Sequence, residues 1–263
     1  MVERLIRQEE KAKFTRVYVG NIMKGLIPAA GMGTRLGPIA MAIPKELLMV
    51  GDKACIEHVV EAFKLAGITD ISIVVGWKKH AILDYFGSGK RLDVNITYIV
   101  QDERNGLAKA VECGENVIKN DSFAVILGDN FFYPKNFLSE LIGFHNKKNS
   151  ECTVGVTPMK DVSSYGVIKP NGEKIVDIVE KPLKKDAPSN LACAGIYVFE
   201  SSIFNAIKHT KPDKNNEFQL TDSIKYMIDD NKSVFYKKLE GQHIDIGSPK
   251  RLRMANKFFA QKI

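Results

Sequence analysis

Arg35 and Lys45 are two cations in a stretch, Gly25 to Lys45, that is otherwise apolar and glycine-rich. The stretch opens with the apolar run Leu26 to Ala30, which reads as a buried strand, and breaks at Gly31 and Gly33. Glycines at such a break let backbone N–H groups approach a ligand closely. Arginine forks onto phosphate oxygens and lysine acts as a compact charge. A strand, a glycine loop and two cations predict a polyphosphate site.

Two carboxylates could serve that site. Asp129 follows the apolar run Phe123 to Leu127, and Asp245 lies between Ile244 and Ile246. The pair suits Mg²⁺, which takes one or two carboxylates and completes its shell with substrate phosphates and water. An Asx turn at Asp129 and a helix approach at Asp245 are the structural alternatives. Gln101 follows the run Ile96 to Val100; its amide can donate to and accept from a pyrimidine edge, or simply close the strand before Gly106 opens a helix. Glu180-Lys181-Pro182 reads either as an ion pair before a proline stop or as part of an acceptor pocket.

These residues must be positioned by an alternating chain. Strands are expected at Leu26 to Ala30, Ile71 to Val75, Ile96 to Val100 and Phe123 to Leu127, with helices at Cys55 to Ala66, His80 to Phe86 and Leu107 to Ile118. Apolar strands separated by helices predict an α/β fold with a mostly parallel sheet covered on both faces. Ligands of such sheets sit beyond the carboxyl ends of the strands, which marks Gly31, Gln101 and Asp129. After a helix at Phe137 to Asn146, shorter strands follow at Thr153 to Thr157, Gly166 to Ile168, Ile175 to Glu180, Ala192 to Phe199 and Val234 to Leu239. Helices are expected at Ser202 to Lys208, Leu220 to Asp230 and Pro249 to Gln261. With no linker, residues 23–263 read as one domain, a nucleotide half (23–150) followed by an acceptor half (151–263).

Gly31, Gly33 and Gly37 miss the dinucleotide fingerprint by one residue, and no acidic residue follows the second strand. The phosphate-loop pattern fails too, because Lys45 follows Pro44 far from the glycines. The run Gly31-Met32-Gly33-Thr34-Arg35-Leu36 with Pro44-Lys45 resembles the sugar-1-phosphate nucleotidylyltransferases. The likeness extends through Gln101 with Gly106-Leu107-Ala108, Gly128-Asp129-Asn130, Tyr165-Gly166-Val167, Glu180-Lys181-Pro182, Ser189-Asn190-Leu191-Ala192 and Asp245-Ile246-Gly247.

The resemblance implies a Rossmann-like mixed sheet flanked by helices, of the nucleotide-diphospho-sugar transferase type. It also implies transfer of a nucleoside monophosphate from dTTP or UTP to a sugar 1-phosphate, most naturally glucose 1-phosphate, with release of pyrophosphate. By the same resemblance, Arg35, Lys45 and Asp129 are catalytic, and Ala29, Ala30, Gly31, Gly33, Thr34, Gln101 and Gly106 bind the nucleotide. Tyr165, Gly166, Glu180, Lys181 and Asn190 hold the sugar phosphate, and Asp129 with Asp245 holds Mg²⁺. The loop after Gln101 looks thymidylyl-like, whereas Ile43-Pro44-Lys45-Glu46 looks uridylyl-like; the reading leans slightly to dTTP.

The 263 residues are 44% hydrophobic and 26% charged, an ordinary globular composition with a net charge of +7 spread along the chain. A small anionic substrate fits that charge, and a nucleic-acid polymer is not expected. No apolar run approaches a membrane span, so a cytoplasmic protein is expected, as a homo-oligomer. Cys55, Cys113, Cys152 and Cys193 lie far apart and read as reduced thiols. His58, His80, His145 and His209 read as surface or packing residues; His243, two residues before Asp245, is a candidate for support. Residues 1–22 read as an extension or a misplaced start ahead of a fold that begins at Met23.

Overall fold

A computed structural model describes residues 23–262; the extension expected over residues 1–22 lies outside the described residues. The opening apolar run forms β1 (Lys24–Ala29), and the glycine loop leads into a short helix, α1 (Pro38–Ala42). A two-stranded hairpin, β2 (Met49–Val50) and β3 (Lys53–Ala54), precedes α2 (Cys55–Leu65). Helix α2 buries Ile56, Val59, Val60 and Phe63, the spacing of one apolar helical face, and the chain leaves it through Gly67 at φ 78°.

The alternation continues with β4 (Asp70–Val75), α3 (Lys79–Phe86) and β5 (Asn95–Val100). The helix expected from Leu107 to Ile118 is instead two, α4 (Leu107–Glu112) and α5 (Glu115–Ile118). They part at Gly114, which packs so closely on β1 that a Cβ there would lie 3.1 Å from both Leu26 Cδ1 and Ile118 Cδ1. Next come β6 (Phe123–Ile126), β7 (Asn130–Tyr133), α6 (Phe137–Lys148), β8 (Cys152–Pro158), β9 (Gly166–Asn171), β10 (Lys174–Glu180) and β11 (Leu191–Phe199). The chain closes with α7 (Ser202–His209), α8 (Leu220–Asp229), β12 (Val234–Lys238), β13 (Gln242–Asp245) and α9 (Pro249–Ala260).

Nine strands form one sheet in the order β5-β4-β1-β6-β11-β8-β12-β10-β9. From β5 to β6 every pairing is parallel; β11 then runs antiparallel to β6 and β8, and beyond it only β8 and β12 are parallel neighbours. Successive residues of a strand point to opposite faces. Leu26, Val74 and Val125 accordingly join one core layer with Phe199 and Phe204, and Ile27, Ile73 and Ile126 join the other with Phe63 and Phe137. Both faces are covered, which is why β1, β4 and β6 read as continuous apolar runs.

Outside this sheet, β7 and β13 form an antiparallel ribbon in which Asn130 pairs with Asp245. It carries a third core, where Phe131 and Ile244 pack with Leu36, Leu48 and Ala255. That ribbon brings the two candidate carboxylates together from distant parts of the chain.

Candidate active site

A cleft of about 520 Å³ opens beyond the carboxyl ends of β1, β5 and β6. The glycine loop forms one lip. Gly33 sits at φ 66°, where the turn Leu36 N–H to Gly33 C=O (2.9 Å) needs it, and a Cβ there would lie 3.2 Å from Lys45 Cβ. Lys45 therefore runs directly beneath the loop, its Nζ 3.6 Å from where a Gly31 side chain would begin. The glycines leave room for this lysine as well as for a ligand.

Lys45 Nζ donates to Asp129 Oδ2 at 2.6 Å and stands 3.8 Å from Glu46 Oε1. Burial acts to lower its pKa, but the charges of Asp129 and Glu46 outweigh burial and hold the ammonium well above the ordinary lysine value. Glu46 is 1% exposed and its Oε2 has no partner among the described residues. Burial, opposed by Lys45 and reinforced by Asp129, pushes its carboxyl up to about 8.

Asp129 is held in place through its backbone, whose carbonyl accepts from Ile246 N–H at 2.9 Å. Across the ribbon, Asp245 Oδ2 accepts from Tyr165 Oη and from Arg251 Nη1, each at 2.6 Å. Burial would raise the Asp245 carboxyl, yet these two donors keep it below the usual carboxylate range. Burial and the Asp245 charge push the Tyr165 hydroxyl far up, so it stays a donor. His243 packs its ring 6.4 Å from that of Tyr165, neither nitrogen has a hydrogen-bond partner among the described residues, and burial lowers its pKa to about 4. A neutral imidazole here supports Tyr165 by packing alone.

The opposite wall belongs to the second half of the chain. Glu180 Oε2 accepts from Thr221 Oγ1 at 2.9 Å, and its Oε1 lies 3.1 Å from Lys181 Nζ. Lys181 takes φ 43° at the end of β10, and its N–H donates to Tyr165 C=O at 3.0 Å. Gly166 is required by packing, because a Cβ there would fall 2.3 Å from Thr221 Cγ2. At the far end Gln101, 6% exposed, donates its amide to Gly106 C=O at 3.4 Å. Gly106, at φ 115°, touches the Phe218 backbone where a Cβ would be 2.4 Å from Phe218 C=O.

Ala30, Gly31, Gly33, Thr34, Arg35, Lys45, Gln101, Gly106, Asp129, Tyr165, Gly166, Glu180, Lys181 and Asp245 all line this cleft. Two expected residues do not. Ala29 is 2% exposed inside β1, sealed in the core, and Asn190 is an exposed residue whose carbonyl accepts from Met159 N–H at 2.9 Å. Sequence reasoning missed Glu46, Arg104, Thr221 and Arg251, which also line it. Glu46 was visible only as the neighbour of Lys45; Arg251 gave a weak signal, a cation in the first turn of the helix that follows Asp245.

A cleft of cations and carboxylates beneath a glycine loop, at the carboxyl ends of the parallel strands of a mixed sheet, defines a nucleotide-handling enzyme. The nucleotidyl transferase family model matches residues 24–262, and the chain belongs to that family as a sugar-1-phosphate nucleotidyltransferase. It is 36% identical over 255 residues to the UTP–glucose-1-phosphate uridylyltransferase YngB of Bacillus subtilis, covering 86% of this chain and 85% of that protein. A crystal structure of UDP-glucose pyrophosphorylase complexed with UDP-glucose superposes with a TM-score of 0.85 at 35% identity, over 92% of this chain and 100% of that one. A structure described as a glucose-1-phosphate thymidylyltransferase of Bacillus anthracis, in complex with sucrose, follows at 0.82 and 34%, over 90% and 95%.

Proposed function

We propose that the cleft joins UTP and glucose 1-phosphate with the help of Mg²⁺. A sugar phosphate oxygen attacks the α-phosphorus, the bond to the β-phosphate bridging oxygen breaks, and pyrophosphate leaves. Such chemistry needs positioning and charge neutralisation rather than a protein nucleophile. The observation that carries this reading is the Lys45 to Asp129 contact of 2.6 Å beneath the glycine loop. It joins the two expected halves of the machinery, phosphate cation and metal carboxylate, in one place.

Arg35 and the loop amides would receive the triphosphate, Lys45 would neutralise the attacking and leaving oxygens, and Lys181 would hold the sugar phosphate. Glu180, fixed by Thr221, would accept from sugar hydroxyls. The donor set fits Mg²⁺. Lys45 engages one oxygen of Asp129, Tyr165 and Arg251 share one oxygen of Asp245, and a second oxygen remains on each, that of Asp245 with only a 3.3 Å contact to Gly247 N–H. The described residues contain no group of three or more acidic, His or Cys ligands, which suits an ion completed by substrate phosphates and water rather than a protein cage. When bound, the ion would neutralise charge on the phosphates; Asp129 and Asp245 would position it.

Gln101 offers both an acceptor and donors to a pyrimidine edge, and relatives named for UTP support that base ahead of the dTTP favoured by the sequence alone. No helix among the described residues is long and apolar enough to cross a membrane. The test is a pyrophosphate-release assay with Mg²⁺, each common nucleoside triphosphate and a panel of hexose, hexosamine and pentose 1-phosphates. UTP with glucose 1-phosphate should be the fastest pair. Silence across the whole panel would refute the reading.

A further inference from the structure

Arg104 lines the cleft at the nucleotide end yet belongs to none of the motifs that suggested the site. It is exposed, and among the described residues it has no hydrogen bond or ion pair. Its guanidinium carbon stands 6.0 Å from the centre of the Trp77 ring, the outer limit of a cation–π interaction, and Lys78 Nζ lies 5.8 Å from the same centre. An arginine parked on an aromatic face keeps its five N–H donors available while losing rotamer freedom.

Trp77 is itself fixed to the phosphate loop. Its backbone N–H donates to Ala30 C=O at 3.4 Å, and its indole Nε1 donates to Ala40 C=O on α1 at 3.2 Å. Lys78 ties the same helix down by donating to Ala42 C=O at 3.1 Å. The ring thus stands against both the beginning and the end of the glycine loop segment. Close packing keeps it there, since a Cβ on Gly76 would lie 2.9 Å from Ala30 C=O.

From this geometry we propose that Arg104 is a third cation of the nucleoside triphosphate site, closing on the outer phosphates from beside the glycine loop, with Trp77 as the rest that positions it. This rests on the nucleotidyl transfer proposed above. A triphosphate carries more negative charge than Arg35 and Lys45 can match, and Lys45 already shares its charge with Asp129. The outer phosphates leave as pyrophosphate, so the contact belongs to the triphosphate in one direction and to pyrophosphate in the other. The nucleotide sugar has no such group.

Steady-state kinetics of wild type, Arg104→Ala, Arg104→Gln and Trp77→Phe, in both directions, test this. Wild-type turnover establishes the underlying activity first, so failure of that reading is seen before any variant is compared. Arg104→Ala and Arg104→Gln should each raise KM for the triphosphate and for pyrophosphate about tenfold, the scale of one charge-assisted contact, while KM for sugar 1-phosphate and for nucleotide sugar stays put. Trp77→Phe, which keeps an aromatic face, should retain most of the affinity. Trp77 is the sole tryptophan of the chain, so its emission gives a direct readout. Titrating the triphosphate without sugar should change wild-type emission, and Arg104→Gln should need about tenfold more ligand for the same change. Unchanged KM for pyrophosphate in both arginine variants would overturn the proposal, as would a shift confined to the preference among bases, which would place Arg104 on the base instead.

Discussion

Glu57 on α2 and Glu46 in the cleft are both buried acids, 5% and 1% exposed, with opposite fates. Glu57 is saturated: Arg91 Nη2 donates at 2.7 Å, Arg91 Nη1 at 3.4 Å, and Tyr85 Oη at 2.8 Å. Burial acts to raise its pKa, but these donors outweigh burial and hold it below the ordinary value. In the cleft, Glu46 Oε2 and both His243 nitrogens lack partners among the described residues, and Asp129 and Asp245 each spend one oxygen on protein cations. The Glu57 cluster closes its valences. The cleft carries open ones, a cost of the kind tolerated where a ligand completes them.

Breaking the cleft should therefore cost turnover, and breaking the Glu57 cluster should cost stability. The largest effect is expected from Lys45→Ala or Asp129→Asn, each lowering kcat by on the order of 10²-fold or more with little change in melting temperature. Near-normal turnover in both would erase the distinction. Arg251→Ala comes next. It strips Asp245 of its cationic partner, so turnover should fall about tenfold, and the acid limb of the pH–rate profile should move to higher pH as the carboxyl returns toward its ordinary value. An unmoved acid limb would mean that Tyr165 alone sets Asp245.

Glu57→Gln gives the smallest effect on catalysis and sharpens the contrast most. Turnover should match wild type while stability drops by about 1–3 kcal/mol, the scale of a lost charge-assisted hydrogen bond. The sign with pH follows from the depressed folded pKa. The Glu57 contribution is complete above the unfolded value of about 4.3 and is lost as pH falls through the lower folded value. Wild type and variant should therefore converge in denaturant midpoint on acidification; parallel curves down to the lowest pH would contradict the role given to Arg91.

Much of this was legible in the chain because the relevant signals are local. Leu26 to Ala30 is buried on both faces, so its apolar run announces a central strand, and Gly31 and Gly33 follow at once. The β7–β13 ribbon was not legible. Its four-residue strands lie far apart in sequence, and what pairs them is the packing of Phe131 and Ile244 against α9 rather than any local propensity. The break at Gly114 escaped because the helical pattern runs straight through it, and only close contact with Leu26 interrupts it. Asn190 sits in a motif, and its backbone carbonyl extends the β8–β11 pairing. Arg104 carried no signal at all, since its meaning depends on a tryptophan on another loop.

Nucleotidyl transfer between two substrates bound in this cleft has one direct test. Phosphorus NMR of the protein with UTP, glucose 1-phosphate and Mg²⁺ follows every phosphate at once. UDP-glucose and pyrophosphate should appear in equal amounts, only when the sugar phosphate is present, and on the order of 10²-fold more slowly with Lys45→Ala. UMP and pyrophosphate formed regardless of the sugar, or equal rates in wild type and Lys45→Ala, would contradict it.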